Sequence, residues 1–387
     1  MNARAIVLPG MVSILLLATP ARAQNGTVTP HAVRTDNPRN GKVDDAVHFA
    51  AEKYMANPRT VDLSIGVWKE GKAYRYNYHR GEGALPTATS FYGIGSIAQT
   101  FVTTLLAQAV VEGKVKLSDD IRKYLPGKYP NLAYNGKPVH LRDLANHTSG
   151  LPELSQNYSP RYFDSLSRFT PRAMEKWYNT YTSDSLLRDM RNPHYFVPDT
   201  VPGTRYRYNG NAILVLAVVL EKVYNKPYAA LIKDYVKAHF GMTETRIELT
   251  PAEKKRLLQG HDESGEPLPY VCDKGFRAAP NLMSTINDML KYVQAGALEK
   301  DPVIKLTHKS TWNDTIGGSN IGLGWMLGTD DHGPYSIHTG HDGTGYNSLC
   351  VLYPKQQTGI VILVNESTGQ DRVAEMKEVL VRALFTR

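Results

Sequence analysis

Ser96 stands at the head of an apolar helical run. A hydroxyl there faces the positive end of the helix dipole and first-turn N–H groups that have no intrahelical acceptor. Such a place suits an attacking oxygen and an oxyanion developing beside it. It equally suits an N-cap, a task serine does well. One helical turn further on stands Gln99. An amide at that spacing reaches the serine, but it cannot ionise, so it orients by hydrogen bonds and takes no proton. No Ser-x-x-Lys occurs anywhere in the 387 residues. A second serine, Ser149, is flanked by Gly150 and Pro152 and has no lysine or histidine three residues on. It reads as part of a fixed turn. His338-Thr339-Gly340 is followed by His341 and Asp342, and His-x-x-His-Asp invites a zinc reading. The run is glycine-bearing, no glutamate stands at helical spacing, and no distant third ligand is indicated, so no metal is assigned.

The elements that must hold these residues follow from hydrophobic spacing. Ile97, Phe101, Leu105 and Ala109, with Val102, Leu106 and Val110, predict a buried helix over 96–112, closed by Gly113. Val43, Val47, Ala50, Ala51 and Tyr54 predict a helix over 43–55. Strands are expected over 61–68 and 73–78, around Lys69-Glu70-Gly71-Lys72, and over 348–353 and 359–365, around 354–358. A final amphipathic helix covers 372–385, and 114–270 reads mainly as helix and loop. Strands at both ends of a helical middle predict an α/β (α+β) fold. Its antiparallel sheet is built from the N- and C-terminal segments and flanked by helices, with an all-helical subdomain inserted. The domain spans 42–387, with 42–95 and 276–387 as the α/β part and 96–275 as the mainly helical part.

With 42% apolar and 21% charged residues the chain is ordinary globular protein, which excludes a disordered, collagenous or polytopic membrane protein. Its formal charge of +8 comes from 45 basic and 37 acidic residues mixed along the chain. No basic block stands out, so no nucleic-acid partner is expected. Two cysteines exclude a disulfide-dense scaffold and a Cys-rich zinc module. Residues 1–23 carry Arg4 and Arg22, no acid, an apolar stretch over 11–18, and Ala21-Arg22-Ala23. That pattern predicts a signal peptide cleaved after Ala23. The alternative, an uncleaved anchor, meets an apolar run shorter than the ~20 residues a span needs. Residues 24–41 read as a flexible leader, and no stable membrane span is expected after signal removal. The protein is expected in a bacterial periplasm or beyond. Cys272 and Cys350 could pair in that compartment, or remain two separate buried thiols.

Further motifs, in order, carry a family resemblance. They are Phe91-Tyr92-Gly93-Ile94-Gly95-Ser96-Ile97-Ala98-Gln99-Thr100-Phe101, the stretch 117–126, and Leu144-Ala145-Asn146-His147-Thr148-Ser149-Gly150-Leu151-Pro152. Pro202-Gly203-Thr204-Arg205-Tyr206-Arg207-Tyr208-Asn209-Gly210, Phe240-Gly241-Met242-Thr243, Gly322-Leu323-Gly324-Trp325 and His338-Thr339-Gly340 follow. From about residue 42 to its end the chain resembles the serine β-lactamase and penicillin-binding-protein-like hydrolases, especially the class C β-lactamase, esterase and D-peptidase branch. The resemblance implies that Ser96 is the nucleophile and Tyr208 shares in proton transfer. The family carries a lysine where Gln99 stands. A positioned general base contributes ~10²–10⁴ in rate, so its replacement is disabling unless another group compensates. Tyr208 is the implied compensator. A phenol titrates at about 10 in water, so a useful phenolate needs nearby positive charge. Protonated His338 is the candidate source. The family's asparagine is replaced by Gly210, and Asn209 and Asn211 beside it become candidate substrate-binding amides. His338, Thr339 and Gly340 are implied to bind substrate along a strand edge facing the serine. Backbone N–H groups of Ser96 and of the strand after His338 would form the oxyanion hole.

These residues predict an exported serine hydrolase that forms an acyl-enzyme on Ser96 and cleaves esters, small amides or D-amino-acid peptides without a cofactor. One alternative is a catalytically impaired binding protein for peptide or cell-wall fragments. Another is a β-lactamase or D-Ala-D-Ala carboxypeptidase.

Overall fold

The structure is a computed structural model that describes residues 32–152, 182–194, 196–268, 282–314, 317–367 and 369–386. The expected signal segment, residues 24–31 of the leader and Cys272 lie outside the described residues, as do 153–181.

In chain order the strands are β1 (Val33–Thr35), β2 (Asp62–Lys69), β3 (Lys72–Arg80), β4 (Phe91–Gly93), β5 (Ala133–Tyr134), β6 (Lys137–Pro138) and β7 (Met283–Thr285). They continue as β8 (Trp312–Asn313), β9 (Asn320–Ile321), β10 (Met326–Asp330), β11 (Gly333–Asp342), β12 (Tyr346–Tyr353) and β13 (Thr358–Val364). The helices are α1 (Lys42–Met55), α2 (Ala98–Val111), α3 (Leu141–Ala145), α4 (Ser183–Met190) and α5 (Gly210–Tyr224). After them come α6 (Tyr228–Phe240), α7 (Pro251–Lys254), α8 (Ile286–Leu298), α9 (Pro302–Thr307) and α10 (Gln370–Phe385).

β12 and β13 are buried at every residue, as strands covered on both faces must be. They form the middle of a nine-stranded antiparallel sheet, ordered β1-β3-β2-β13-β12-β11-β10-β9-β8. N- and C-terminal segments therefore build one sheet, as the sequence predicts. One face carries α1 and α10, whose apolar stripes meet Leu63, Ile65, Val351 and Ile362. The other carries α8 and the helical part. Two glycines let α8 lie close: a Cβ at Gly66 would stand 2.7 Å from Leu290 Cγ, and one at Gly359 would stand 2.6 Å from the Val293 carbonyl oxygen. Within the helical part α2 is buried on nearly all sides, which suits its all-round apolar sequence.

One expectation is corrected. Residues 33–37 belong to the stretch read as a flexible leader, but β1 pairs with β3 as an edge strand, Val33 opposite Arg80. Asn37 is buried and donates to the Asp44 carbonyl oxygen at 2.8 Å and to Tyr78 Oη at 2.9 Å.

Candidate active site

The nucleophile segment is held by close backbone contact. β4 leads into a single tight turn, Gly95–Ile97, and α2 starts directly after it. Gly95 has φ +49°, and a Cβ on it would lie 2.6 Å from the His341 nitrogen. A Cβ on Gly340 would lie 2.2 Å from the Ile94 carbonyl oxygen, to which Ser348 Oγ donates at 2.8 Å. The turn bearing Ser96 is thus pressed against β11. Ser96 sits in that first turn, where N–H groups lack intrahelical acceptors. Its side chain caps neither the turn nor α2. Instead Ser96 Oγ accepts a hydrogen bond from Tyr208 Oη at 2.7 Å, and Gln99 Nε2 donates to Tyr208 Oη at 2.5 Å. The N-cap alternative is set aside by this geometry. Ser96 and Gln99, one helical turn apart, and Tyr208, more than a hundred residues further along the chain, form one hydrogen-bonded chain.

Tyr208 is positioned by the segment 147–151. His147 takes a left-handed conformation at φ +57°, and its Nδ1 accepts from the Asn209 backbone N–H at 3.1 Å. Its ring lies 4.7 Å from the Tyr208 ring, centroid to centroid. Arg207 N donates to the His147 carbonyl at 2.8 Å, Gly203 N to that of Thr148 at 2.8 Å, and Asp199 N to that of Gly150 at 2.9 Å. The segment read as a fixed turn is therefore a clasp on the tyrosine loop. Sequence reasoning missed His147 as a support for Tyr208; its one signal was a bulky residue beside turn-forming neighbours. Asn209 Oδ1 accepts from Ala212 N at 3.1 Å, capping α5, and Asn209 Nδ2 donates to the Leu151 carbonyl at 2.6 Å. Both ends of that amide are turned to the scaffold. Asn211 is half-buried in the first turn of α5. Around Gly210, where the family pattern has asparagine, a Cβ would meet nothing within 4 Å.

β11 supplies the third wall. Its pairing with β10 stops at Ile337 opposite Met326, while its pairing with β12 continues to Asp342 opposite Tyr346. Among the described residues no strand covers the other edge of 338–342. Side chains alternate along a strand, so His338 shares the face of Gly340, toward Ile94. Thr339 points to the opposite face, where its Oγ1 donates to Gln370 Oε1 at the start of α10, at 3.2 Å. His338 is 7% exposed, and its Nδ1 donates to the Thr339 carbonyl oxygen at 2.7 Å.

The electrostatics overturn one expectation. Burial pushes His338 down to about 4. Burial, and then the neighbouring His338, push His147 down to about 3. Both imidazoles are neutral at pH 7, so His338 does not supply the positive charge that a phenolate at Tyr208 would need. Gln99 Oε1 is enclosed and has no hydrogen-bond partner. His341 Nδ1 donates to Asn347 Oδ1 at 2.9 Å. It leaves the strand on the face opposite His338, so the two do not converge as a metal pair. Among the described residues no group of three His, Cys, Asp or Glu side chains is placed to hold a metal. Cys350, opposite His338 in the β11–β12 register, is a buried free thiol.

A family model described as "Beta-lactamase" matches residues 50–384. Curated relatives include a beta-lactamase of Pseudomonas fluorescens, 24% identical over 302 residues and covering 74% of each chain. A D-alanyl-D-alanine-carboxypeptidase/endopeptidase of Escherichia coli is 24% identical over 309 residues, again covering 74% of each. Among solved structures, a class C beta-lactamase superposes with TM-score 0.74 at 19% identity, covering 92% of this chain and 99% of that one. An octameric penicillin-binding protein homologue from Pyrococcus abyssi gives TM-score 0.71 at 23% identity, covering 88% and 76%.

Proposed function

The chain belongs to the beta-lactamase family, and from that premise we propose that it is an exported serine hydrolase acting through an acyl-enzyme on Ser96. The observation that carries the reading is the chain of hydrogen bonds from Gln99 through Tyr208 to Ser96, at 2.5 and 2.7 Å. Once Tyr208 has given up its own proton to solvent, its phenolate oxygen takes the Ser96 hydroxyl proton as Ser96 Oγ attacks the substrate carbonyl carbon. The Gln99 N–H on that oxygen favours its anionic form, because a donor aimed at the charged state stabilises it. The carbonyl electron pair moves onto oxygen, facing the N–H groups of Ser96 and His341, which the close packing of Gly95 brings together. Collapse of this intermediate breaks the ester or amide bond, and the departing alcohol or amine takes the proton from Tyr208. Water then attacks the acyl carbon and frees Ser96.

Esters, small amides and D-amino-acid peptides are the proposed substrates, a range that includes the carboxypeptidase chemistry named for the Escherichia coli relative. Export rests on the signal pattern of residues 1–23. No helix of the described residues is long and apolar enough to cross a membrane. Hydrolysis of a p-nitrophenyl ester tests the reading: turnover is expected, with loss to background in Ser96→Ala, and unchanged turnover in that variant contradicts it. The neutral amide at Gln99 favours a second reading, a cleft that binds peptide or cell-wall fragments without reacting. That reading requires ligand binding with no covalent adduct at Ser96.

A further inference from the structure

One row of β12 is apolar except at its start. Leu349, Val351 and Tyr353 pack into the core shared with α1 and α10, and Asn347 stands in the same row, only 1% exposed. An amide enclosed there costs free energy unless it is hydrogen-bonded. Asn347 Nδ2 donates to the Glu366 carbonyl oxygen at 2.9 Å, just past the end of β13. A carbonyl oxygen only accepts, so this contact turns the amide oxygen the other way, onto His341 Nδ1 at 2.9 Å, directly across the β11–β12 register. Glu366 is itself anchored: its Oε1 accepts from Tyr54 Oη at 2.6 Å and from Arg372 Nη1 at 2.8 Å. Through one amide, the ends of β11, β12 and β13 are tied together at His341. Pairing with β10 stops at Ile337, so the strand around His341 is held along one edge by β12. The His341 nitrogen is also the atom that a Cβ on Gly95 would approach to 2.6 Å, beside Ser96.

We propose that Asn347 is a positioning residue for the oxyanion hole. It acts through His341 and not on substrate. Its amide oxygen holds the imidazole, and the imidazole fixes the peptide N–H of its own residue toward the carbonyl oxygen at Ser96. The inference rests on the acyl-transfer reading of Ser96 and assigns the support behind one of its two oxyanion donors.

The test compares kcat/KM for 4-nitrophenyl benzoate and for its thiono counterpart, in which sulfur replaces the carbonyl oxygen. Sulfur is a weak acceptor, so the oxygen ester draws more heavily on the two N–H groups. Asn347→Leu, close in size but unable to accept, is expected to lower kcat/KM for the oxygen ester about tenfold, less than the ~10²–10³ lost with a whole donor. The thiono ester is expected to change by no more than about twofold, so the oxygen-to-sulfur ratio falls about fivefold. His341→Leu is expected to lower the ratio in the same way. His341→Asn, whose Nδ2–H can take the place of Nδ1–H, is expected to restore most of it. General loosening of the fold would lower both rates together and leave the ratio unmoved. Thermal melting checks that each variant is folded, and the two His341 variants carry the test alone if Asn347→Leu does not fold. An unchanged ratio, or equal loss with both esters, overturns the inference and leaves the catalytic reading standing where turnover still depends on Ser96. Turnover that survives Ser96→Ala, or no turnover of either ester, overturns both.

Discussion

Tyr208 makes both links of the site through one oxygen, accepting from Gln99 and donating to Ser96, so deleting that oxygen breaks both at once. Tyr208→Phe is expected to lower kcat/KM for an activated ester by ~10²–10⁴, the usual worth of a positioned proton-transfer group. Its melting temperature should change little, because the aromatic packing on His147 remains. A stopped assay on matched protein, with melting curves beside it, checks both halves. At this scale the sequence was informative wherever chemistry imposes a spacing. Ser96 and Gln99 are one helical turn apart, and Tyr208 lies in a recognisable segment. It was silent on His147, whose part depends on a left-handed backbone and a bond to Asn209, 62 residues away. It misled on the charge of His338, because enclosure is a property of the packed sheet and not of the local sequence.

The element that carries the nucleophile is a turn clamped to a strand, and Gly95 is where the two touch. Alanine there meets the His341 backbone at 2.6 Å and must also hold φ +49°. Strain of that kind costs about 1–3 kcal/mol, and relief requires the turn to leave β11. Gly95→Ala is therefore expected to lower both Tm and ester turnover. Gly113 is the control: its φ is +71°, but a Cβ there would meet nothing within 4 Å. Gly113→Ala should cost about 1 kcal/mol with turnover per folded molecule unchanged. Equal loss of turnover in both variants would refute the clamp. The helix 96–112 was legible from its apolar spacing, and α2 with its leading turn occupies that stretch. β8 and β9, two residues each, are too short to show any period. β1 was hidden for the same reason, and its polar neighbours made it look like leader.

Across the whole molecule the site exists only because N- and C-terminal segments share one sheet, with helices on both faces. Strands at both ends of the sequence made that architecture legible, whereas the order β2-β13-β12-β11 is set by pairings between distant segments that no local pattern encodes. The same packing buries two neutral imidazoles, which ties stability to pH. In the folded state His147 titrates at about 3 and His338 at about 4, both below the ordinary 6.5. The unfolded chain therefore takes up these protons first as pH falls. Stability is fully present above about pH 7 and declines as pH falls below about 6.5, the loss through His338 ending near 4 and that through His147 near 3. Asp62 and Asp143, raised by burial, act with the opposite sign nearer the carboxylate range. Urea unfolding at pH 7.5, 6.5 and 5.5 should show a plateau and then a decline, and His338→Gln should lessen the decline. A flat profile to pH 5 would mean that the imidazoles are not held neutral.

The most direct measurement is the site and rate of acylation. The protein is mixed with an activated acyl ester, quenched within one turnover, weighed intact and mapped by peptide fragmentation. The account predicts one acyl group on the peptide containing Ser96, absent from Ser96→Ala and formed much more slowly in Tyr208→Phe. Acylation at another residue, or at an undiminished rate without the phenol, would contradict it.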